Sequence, residues 1–224
     1  MLNQLEAAVD SYDKAYQLKP NMPYLLGYRE QTKRSICDWS SLSDTIAICK
    51  SSVKNIENLV SSFVILNLLD SPELHLSIAK RYSSKFLNES EKSKLIKRVF
   101  NGRLRIGFYS SDLYYHPVSI WLAEQVENHD KTRVELFAFS LKPVFDPMRS
   151  RLIASFDHFF DVESMSDPEI VTLSRQLGID IAVDLNGHTG VTSRTGIFAN
   201  RVAPIQVSYL GFPGSMGANY IDYF

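Results

Sequence analysis

Cysteine is nearly missing from this 224-residue chain, which carries only Cys37 and Cys49. Neither stands in a CxxC pair or beside a matching histidine, so the pattern argues against a zinc site, and two thiols cannot build a disulfide framework. The cytoplasm, a reducing compartment, is the expected location. Net charge of one sign is missing as well. Lys and Arg number 24 against 25 Asp and Glu, a formal charge of −1. No global field therefore draws the chain to nucleic acid or to a membrane. The one local concentration of base, at Lys92, Lys94, Lys97, Arg98, Arg103 and Arg105, reads as a solvated helix face and linker. Long hydrophobic runs are missing too. The longest, residues 63–69, is interrupted by Asn67 and is far too short to span a bilayer. No basic stretch followed by an apolar core opens the chain, so no secretory signal is expected.

What is present falls into two grammars. Residues 1–100 read as helical. Leu5, Ala8, Val9, Tyr12, Ala15, Tyr16 and Leu18 recur at helical spacing, and Pro20 ends the run because proline cannot continue a helix. Ala8, Tyr12, Ala15 and Pro20 match the second helix of a tetratricopeptide repeat, where a small residue lets the paired helix approach. The chain thus opens inside a repeat, and earlier repeats are expected to precede it. Further helices are predicted over 24–36, 39–50, 56–69 and 72–86, the last with Ser71 as cap and Pro72 at its first position. Residues 86–103 are polar and basic and read as a linker or an exposed helix.

Residues 101–224 alternate strand and helix. Strands are predicted over 104–110, 134–140, 158–162, 179–185 and 205–210. Helices are predicted over 118–126, 148–156 and 167–177, the last capped by Ser166 or Asp167 and stopped by Gly178. Such alternation implies a parallel sheet with helices on both faces, a Rossmann-like α/β lobe. No G-x-G-x-x-G follows the first strand, so the dinucleotide fingerprint is excluded.

In a doubly wound sheet the loops at the carboxyl ends of the strands converge on one crevice. Three such loops are polar: 112–117, 186–190 and 211–217. His116 precedes Pro117, which holds it extended before a helix N-terminus. There it can accept a proton, donate to an anion, or simply cap the helix. His188 lies between Gly187 and Thr189, either in the chemistry or packed in its loop. Gly211, Gly214 and Gly217 permit tight turns or close ligand approach. Asp112 and Asp184 can serve acid–base chemistry or cap loop backbone. His75, His129 and His158 have no evident convergent partners.

Taken in order, these residues carry a resemblance. Residues 104–112, His116-Pro117, Asp161-Val162 and 178–189 are followed by Phe198-Ala199, Arg201, Ala203-Pro204, Gln206-Val207, Leu210-Gly211, Pro213-Gly214, Gly217 and Asp222-Tyr223. The set resembles the catalytic region of the O-GlcNAc-transferase family, particularly its bacterial members. That resemblance implies tetratricopeptide repeats before a two-lobed GT-B core. It implies transfer of N-acetylglucosamine from UDP-GlcNAc to Ser or Thr of proteins, with no metal and no other cofactor. The acceptor protein or peptide would engage the helical repeats, and neither nucleic acid nor membrane would be a partner. By residue-wise match, His116 and His188 are the candidate catalytic residues. Pro117, Asn186, Gly187, Thr189, Gly211, Pro213, Gly214 and Gly217 are the candidate substrate-binding residues. Other members carry tyrosine where His188 stands. Some have a second histidine where this chain has Ile120 and Trp121. On this reading the chain holds the repeat end and the first lobe, half of a cleft, and is inactive without the second lobe. The alternative is an interaction module of tetratricopeptide-like helices beside a non-catalytic α/β platform.

Overall fold

A computed structural model describes residues 2–52, 56–87, 102–189 and 193–224. The chain divides into two compact units, Met1–Tyr82 and Ser83–Phe224. The predicted boundary at residue 100 and most of the predicted linker lie outside the described residues, as do Lys92, Lys94, Lys97 and Arg98.

In the first unit, helices α1 (Leu2–Leu18), α2 (Leu25–Ser35), α3 (Leu42–Ser51) and α4 (Ile56–Leu59) precede a 3-10 turn at Val64–Asn67 and helix α5 (Pro72–Ser84), whose last two residues, Ser83 and Ser84, belong to the second unit. Helix α1 turns Val9 inward and half-buries Ala8, Tyr12, Ala15 and Tyr16, but Leu18 at its end is 86% exposed. Leu26, Ile56, Val60, Val64, Ile65 and Ile78 form the core with Cys49. Cys37 sits in the turn after α2 with a φ of 61°. Gly27 brings α2 against the Val60 backbone, where a Cβ would lie 3.1 Å from Val60 Cα. The single helix predicted over 56–69 is two pieces. Ser61 interrupts it, its Oγ accepting from the Val64 N–H at 3.3 Å, because a serine hydroxyl competes with the helical carbonyl for backbone donors. The break lets Val60, Val64, Ile65 and Leu68 all reach one core.

The second unit is an α/β sheet structure. Strands β1 (Leu104–Ser110), β2 (Val134–Ser140), β3 (His158–Asp161), β4 (Ile181–Asp184) and β5 (Ile205–Ser208) alternate with helices. These are α6 (Pro117–Glu127), α7 (Pro147–Ser155), α8 (Asp167–Gln176) and the short α9 (Thr195–Ala199). All neighbouring strands pair in parallel, in the order β3-β2-β1-β4-β5. The strands are apolar because helices cover both faces. Tyr109, Phe137 and Phe139 pack with Ile170 and Phe198 on one side, and Leu122, Leu136, Ala138 and Leu152 pack on the other. The helix signals hold. His116 and Asp146 cap α6 and α7, each before a proline. At α8 the Glu169 carboxylate accepts from Ser166 N, and Gly178 ends the element with a φ of 63°. Helix α9 was not foreseen; it is a single short turn in a segment with no repeating apolar face.

Chain order reverses between β1 and β4. Strands β2 and β3 run outward from β1 on one side, and β4 and β5 extend on the other. In an open parallel sheet, ligands bind outside the carboxyl ends of the strands at such a switch point.

Candidate active site

The loops after β1 and β4 therefore flank the crevice, and Asn186 joins them. Its Oδ1 accepts from the Ser111 N–H at 2.7 Å, and its Nδ2 donates to Asp112 Oδ2 at 2.6 Å. The β4 loop folds on itself. Asp184 Oδ1 accepts from the N–H groups of Asn186 and Gly187, at 2.9 and 2.8 Å. Thr189 returns its N–H and Oγ1 to the Asn186 carbonyl. Asp184 is buried, and that burial pushes its carboxyl up to about 6 despite the two stabilising backbone donors. Of the two expected readings, the structure supports loop capping for Asp184, while the Asp112 carboxylate accepts from the Asn186 carboxamide.

The loop after β5 closes over the same place. Gly211 has no room for a side chain, since a Cβ would fall 1.6 Å from the Leu185 carbonyl oxygen. Gly187 has a φ of 54°, and its Cβ would meet Phe212 Cβ at 2.5 Å. These glycines are there for backbone approach. Gly217 also takes a positive φ, of 58°, with its N–H on Ser215 Oγ. Pro213 is exposed and Gly214 half-buried on the outer side of the loop.

His188 is only 4% exposed, and its ring lies 5.1 Å from that of Phe212. Its Nε2 is 3.1 Å from Ser83 Oγ, which also lies 2.7 Å from the Met216 carbonyl. A hydroxyl has one proton and a carbonyl can only accept, so Ser83 donates to Met216 and accepts from His188 Nε2–H. That fixes the tautomer. Burial brings the imidazole down to about 4, so it is neutral at physiological pH. This is the loop-packing form of the histidine. Ser83 had no sequence signal, because it stands 105 residues from its partner.

His116 is half-buried at the start of α6, with Pro117 exposed beside it. Its Nδ1 accepts from the Val118 N–H at 3.3 Å. It reaches the Asn186 cluster through the chain: Ser119 in the first turn of α6 donates to the Asp112 carbonyl at 2.6 Å. The structure thus brings Asn186, Gly187, His188 and Gly211 into one packed group and sets His116 on the adjoining loop. Ile120 and Trp121 are exposed on α6, at 44% and 64%. The other three histidines, expected to lack convergent partners, each have one outside this site. His75 lies on the Leu69 carbonyl, His129 on Asp157 and His158 on Glu135. Among the described residues, no helix is long and apolar enough to cross a membrane.

The chain is similar to known proteins. The family description Glycosyl transferase family 41 matches residues 77–224. A probable UDP-N-acetylglucosamine–peptide N-acetylglucosaminyltransferase of Arabidopsis thaliana is 34% identical over 209 residues, covering 86% of this chain and 21% of its own length. A UDP-N-acetylglucosamine–peptide N-acetylglucosaminyltransferase of Caenorhabditis elegans is 41% identical over 129 residues, covering 56% of this chain and 11% of its own length. A solved O-GlcNAc transferase mutant of Thermobaculum terrenum superimposes with a TM-score of 0.77 at 27% identity, covering 98% of this chain and 43% of that one. The chain therefore spans about a fifth of the first of these relatives. The helical region followed by a five-stranded parallel sheet, the loops gathered at its switch point and the match over most of the chain agree: this chain belongs to glycosyl transferase family 41.

Proposed function

We propose that this chain forms the first lobe of a GT-B protein O-glycosyltransferase, one that moves N-acetylglucosamine from UDP-GlcNAc to Ser or Thr of protein acceptors. The observation that carries this reading is the convergence of the loops after β1, β4 and β5 on the switch point, within the segment matched to the family. On the family resemblance, the diphosphate is met by protein groups without a metal, and a second lobe supplies most of them. The described residues hold one parallel sheet. We read α1, with Ala8, Tyr12, Ala15 and Pro20, as the end of a tetratricopeptide array that receives the acceptor. A groove of about 630 Å³ in the helical unit, lined by Ile46, Leu68, Leu69 and Leu74 with Lys50 and Glu73 at hand, favours a role for these helices in peptide binding. The cytoplasm is the compartment this reading implies.

The chain's own groups have definite tasks here. His116 accepts a backbone N–H at Nδ1, which leaves Nε2 as the ring's donor. In this arrangement the ring offers a donor to the crevice. It orients a substrate oxygen or steadies developing negative charge at the positive end of α6, and it does not remove a proton. His188 and Asp184 stay behind the surface as supports.

The test is transfer of labelled sugar from UDP-GlcNAc to a Ser/Thr peptide by the whole protein and by residues 1–224 alone. Transfer by the whole protein and none by the shorter chain is expected. No transfer by the whole protein would overturn the reading. Turnover by residues 1–224 alone would overturn the need for a second lobe.

A further inference from the structure

We infer that Asn186 is a positioning residue whose carboxamide locks the β4 loop to the β1 loop and so sets the placement of His116, without itself touching substrate. The functional half of this inference rests on the transferase reading above.

Asn186 is 2% exposed, which leaves no surface for a ligand. Its polar groups are taken up inside the lobe. The carboxamide oxygen holds the Ser111 N–H and the nitrogen holds Asp112 Oδ2. The main-chain N–H is on Asp184, and the carbonyl holds both Thr189 donors. From Asp112 the path continues to α6. The Asp112 carbonyl accepts from Ser119 Oγ at 2.6 Å and from the Tyr114 N–H at 2.9 Å. Ser119 lies in the turn that His116 caps.

The residue type follows from the two groups it meets. The Ser111 N–H needs an acceptor and the Asp112 carboxylate needs a donor. A carboxamide offers both on one rigid plane. An aspartate at 186 would keep the first bond but set two carboxylates 2.6 Å apart. If Asp112 were then asparagine, the second bond would re-form with its polarity reversed.

That reversal is the experiment. Asn186→Asp, Asp112→Asn and the double variant are made in the whole protein, then assayed for sugar transfer and for melting temperature. Asn186→Asp alone should lower kcat/KM about 10²-fold, the usual cost of a misplaced site group. Added to Asp112→Asn, the same change should cost less than about 3-fold, whatever Asp112→Asn costs by itself, because coupled pairs fail additivity. The melting temperature should drop with Asn186→Asp and recover in the double variant. An equal loss of kcat/KM in both backgrounds would place Asn186 against substrate and overturn the inference. So would a melting temperature that does not recover. If Asn186→Asp does not fold, recovery of folded protein in the double variant is the supporting result and its failure the opposing one. If the unmutated protein transfers no sugar, the transferase reading fails, while the melting cycle still decides whether the clamp exists.

Discussion

The two edges of the parallel sheet are built from different chemistry. At the amino ends of the strands, charge meets charge near solvent. Glu135 on β2 receives Arg105 from β1 at 3.0 Å, Arg103 at 3.3 Å and His158 from β3 at 2.9 Å. Asp157 receives His129 at 3.1 Å and Lys131 at 3.7 Å. At the carboxyl ends of β1 and β4 the groups are buried, and one atom serves two donors, as Asp184 Oδ1 and the Asn186 carbonyl do. Asp184, Asn186 and His188 are each under 5% exposed. The first edge is redundant, since losing one ion leaves others to pair. The second is not, because removing one buried group strands the polar atoms bonded to it away from water. This sheet thus buries its polar groups at one end and keeps its ion pairs at the other.

The largest effect that would sharpen this contrast is expected at Gly211. A methyl there lands on the Leu185 carbonyl and cannot be accommodated by a side-chain rotation. Gly211→Ala should cost about 3 kcal/mol, at the upper end for overpacking, and should abolish transfer. Gly187→Ala adds an unfavourable φ to a contact with Phe212 and should cost a similar amount. Denaturant melts and initial rates read both. Near-native stability for either variant would mean that the β5 loop is free to lift away.

His116 comes next. His116→Ala removes both the cap and the Nε2 donor. It should lower transfer about 10²–10³-fold, the cost of losing one donor to developing charge, and cost about 1 kcal/mol of stability. His116→Asn separates the two roles: asparagine caps well, so stability should return while the rate stays low. If His116→Asn restored the rate, the cap alone would matter.

At the buried edge, pH divides two neighbours by sign. His188 titrates near 4 when folded and near 6.5 when free. The unfolded chain therefore takes its proton first. The stability it contributes is present above 6.5 and lost as pH falls toward 4. Asp184 titrates near 6 when folded and near 3.8 when free, so its contribution is present below 3.8 and lost as pH rises through 6. Between about 4 and 6 the two slopes oppose. Asp184→Asn should leave stability rising with pH there, and His188→Tyr should leave it falling. His188→Ala should cost about 2–3 kcal/mol as a buried cavity, and His188→Tyr, which keeps a ring beside Phe212, should cost less. Melts across pH 4–7 test the signs, and unchanged slopes in both variants would remove these two groups from the balance.

Much of the lobe was legible because its signals are local. Alternating strand and helix runs gave five parallel strands, and His116-Pro117 and the Ser166 or Asp167 cap marked two helix starts. The convergence of three polar loops was expected from topology alone; Asn186 joins the first two, and Gly211 in the third lies against Leu185. What was not legible depends on distance or on burial. The Ser83–His188 bond spans 105 residues, so nothing near His188 could say that its ring would be buried and its tautomer fixed. The partners of His129 and His158 come from neighbouring strands and loops brought together by the register of the sheet. The break at Ser61 was lost inside an apolar run whose period alone reads as one helix.

The smallest effect is expected at the opposite edge, and it completes the contrast. Glu135→Gln removes the carboxylate that faces Arg103, Arg105 and His158. Its pKa is lowered, first by the His158 hydrogen bond and then by Arg105, with the Arg103 and Arg105 charges adding to it. Its contribution is therefore present above the ordinary carboxylate range and fades as pH falls. The three partners are each about 40% exposed, so water and salt screen the two arginine charges. The glutamine oxygen still accepts a hydrogen bond, and Arg105 keeps the Leu177 carbonyl, with its main-chain N–H still on Asp180. The loss should be about 0.5–1 kcal/mol at low salt, smaller at 0.5 M salt, with sugar transfer unchanged. A loss as large as that of Gly211→Ala, or any fall in transfer rate, would mean that the two edges are coupled through the strands and that the far edge is not spare.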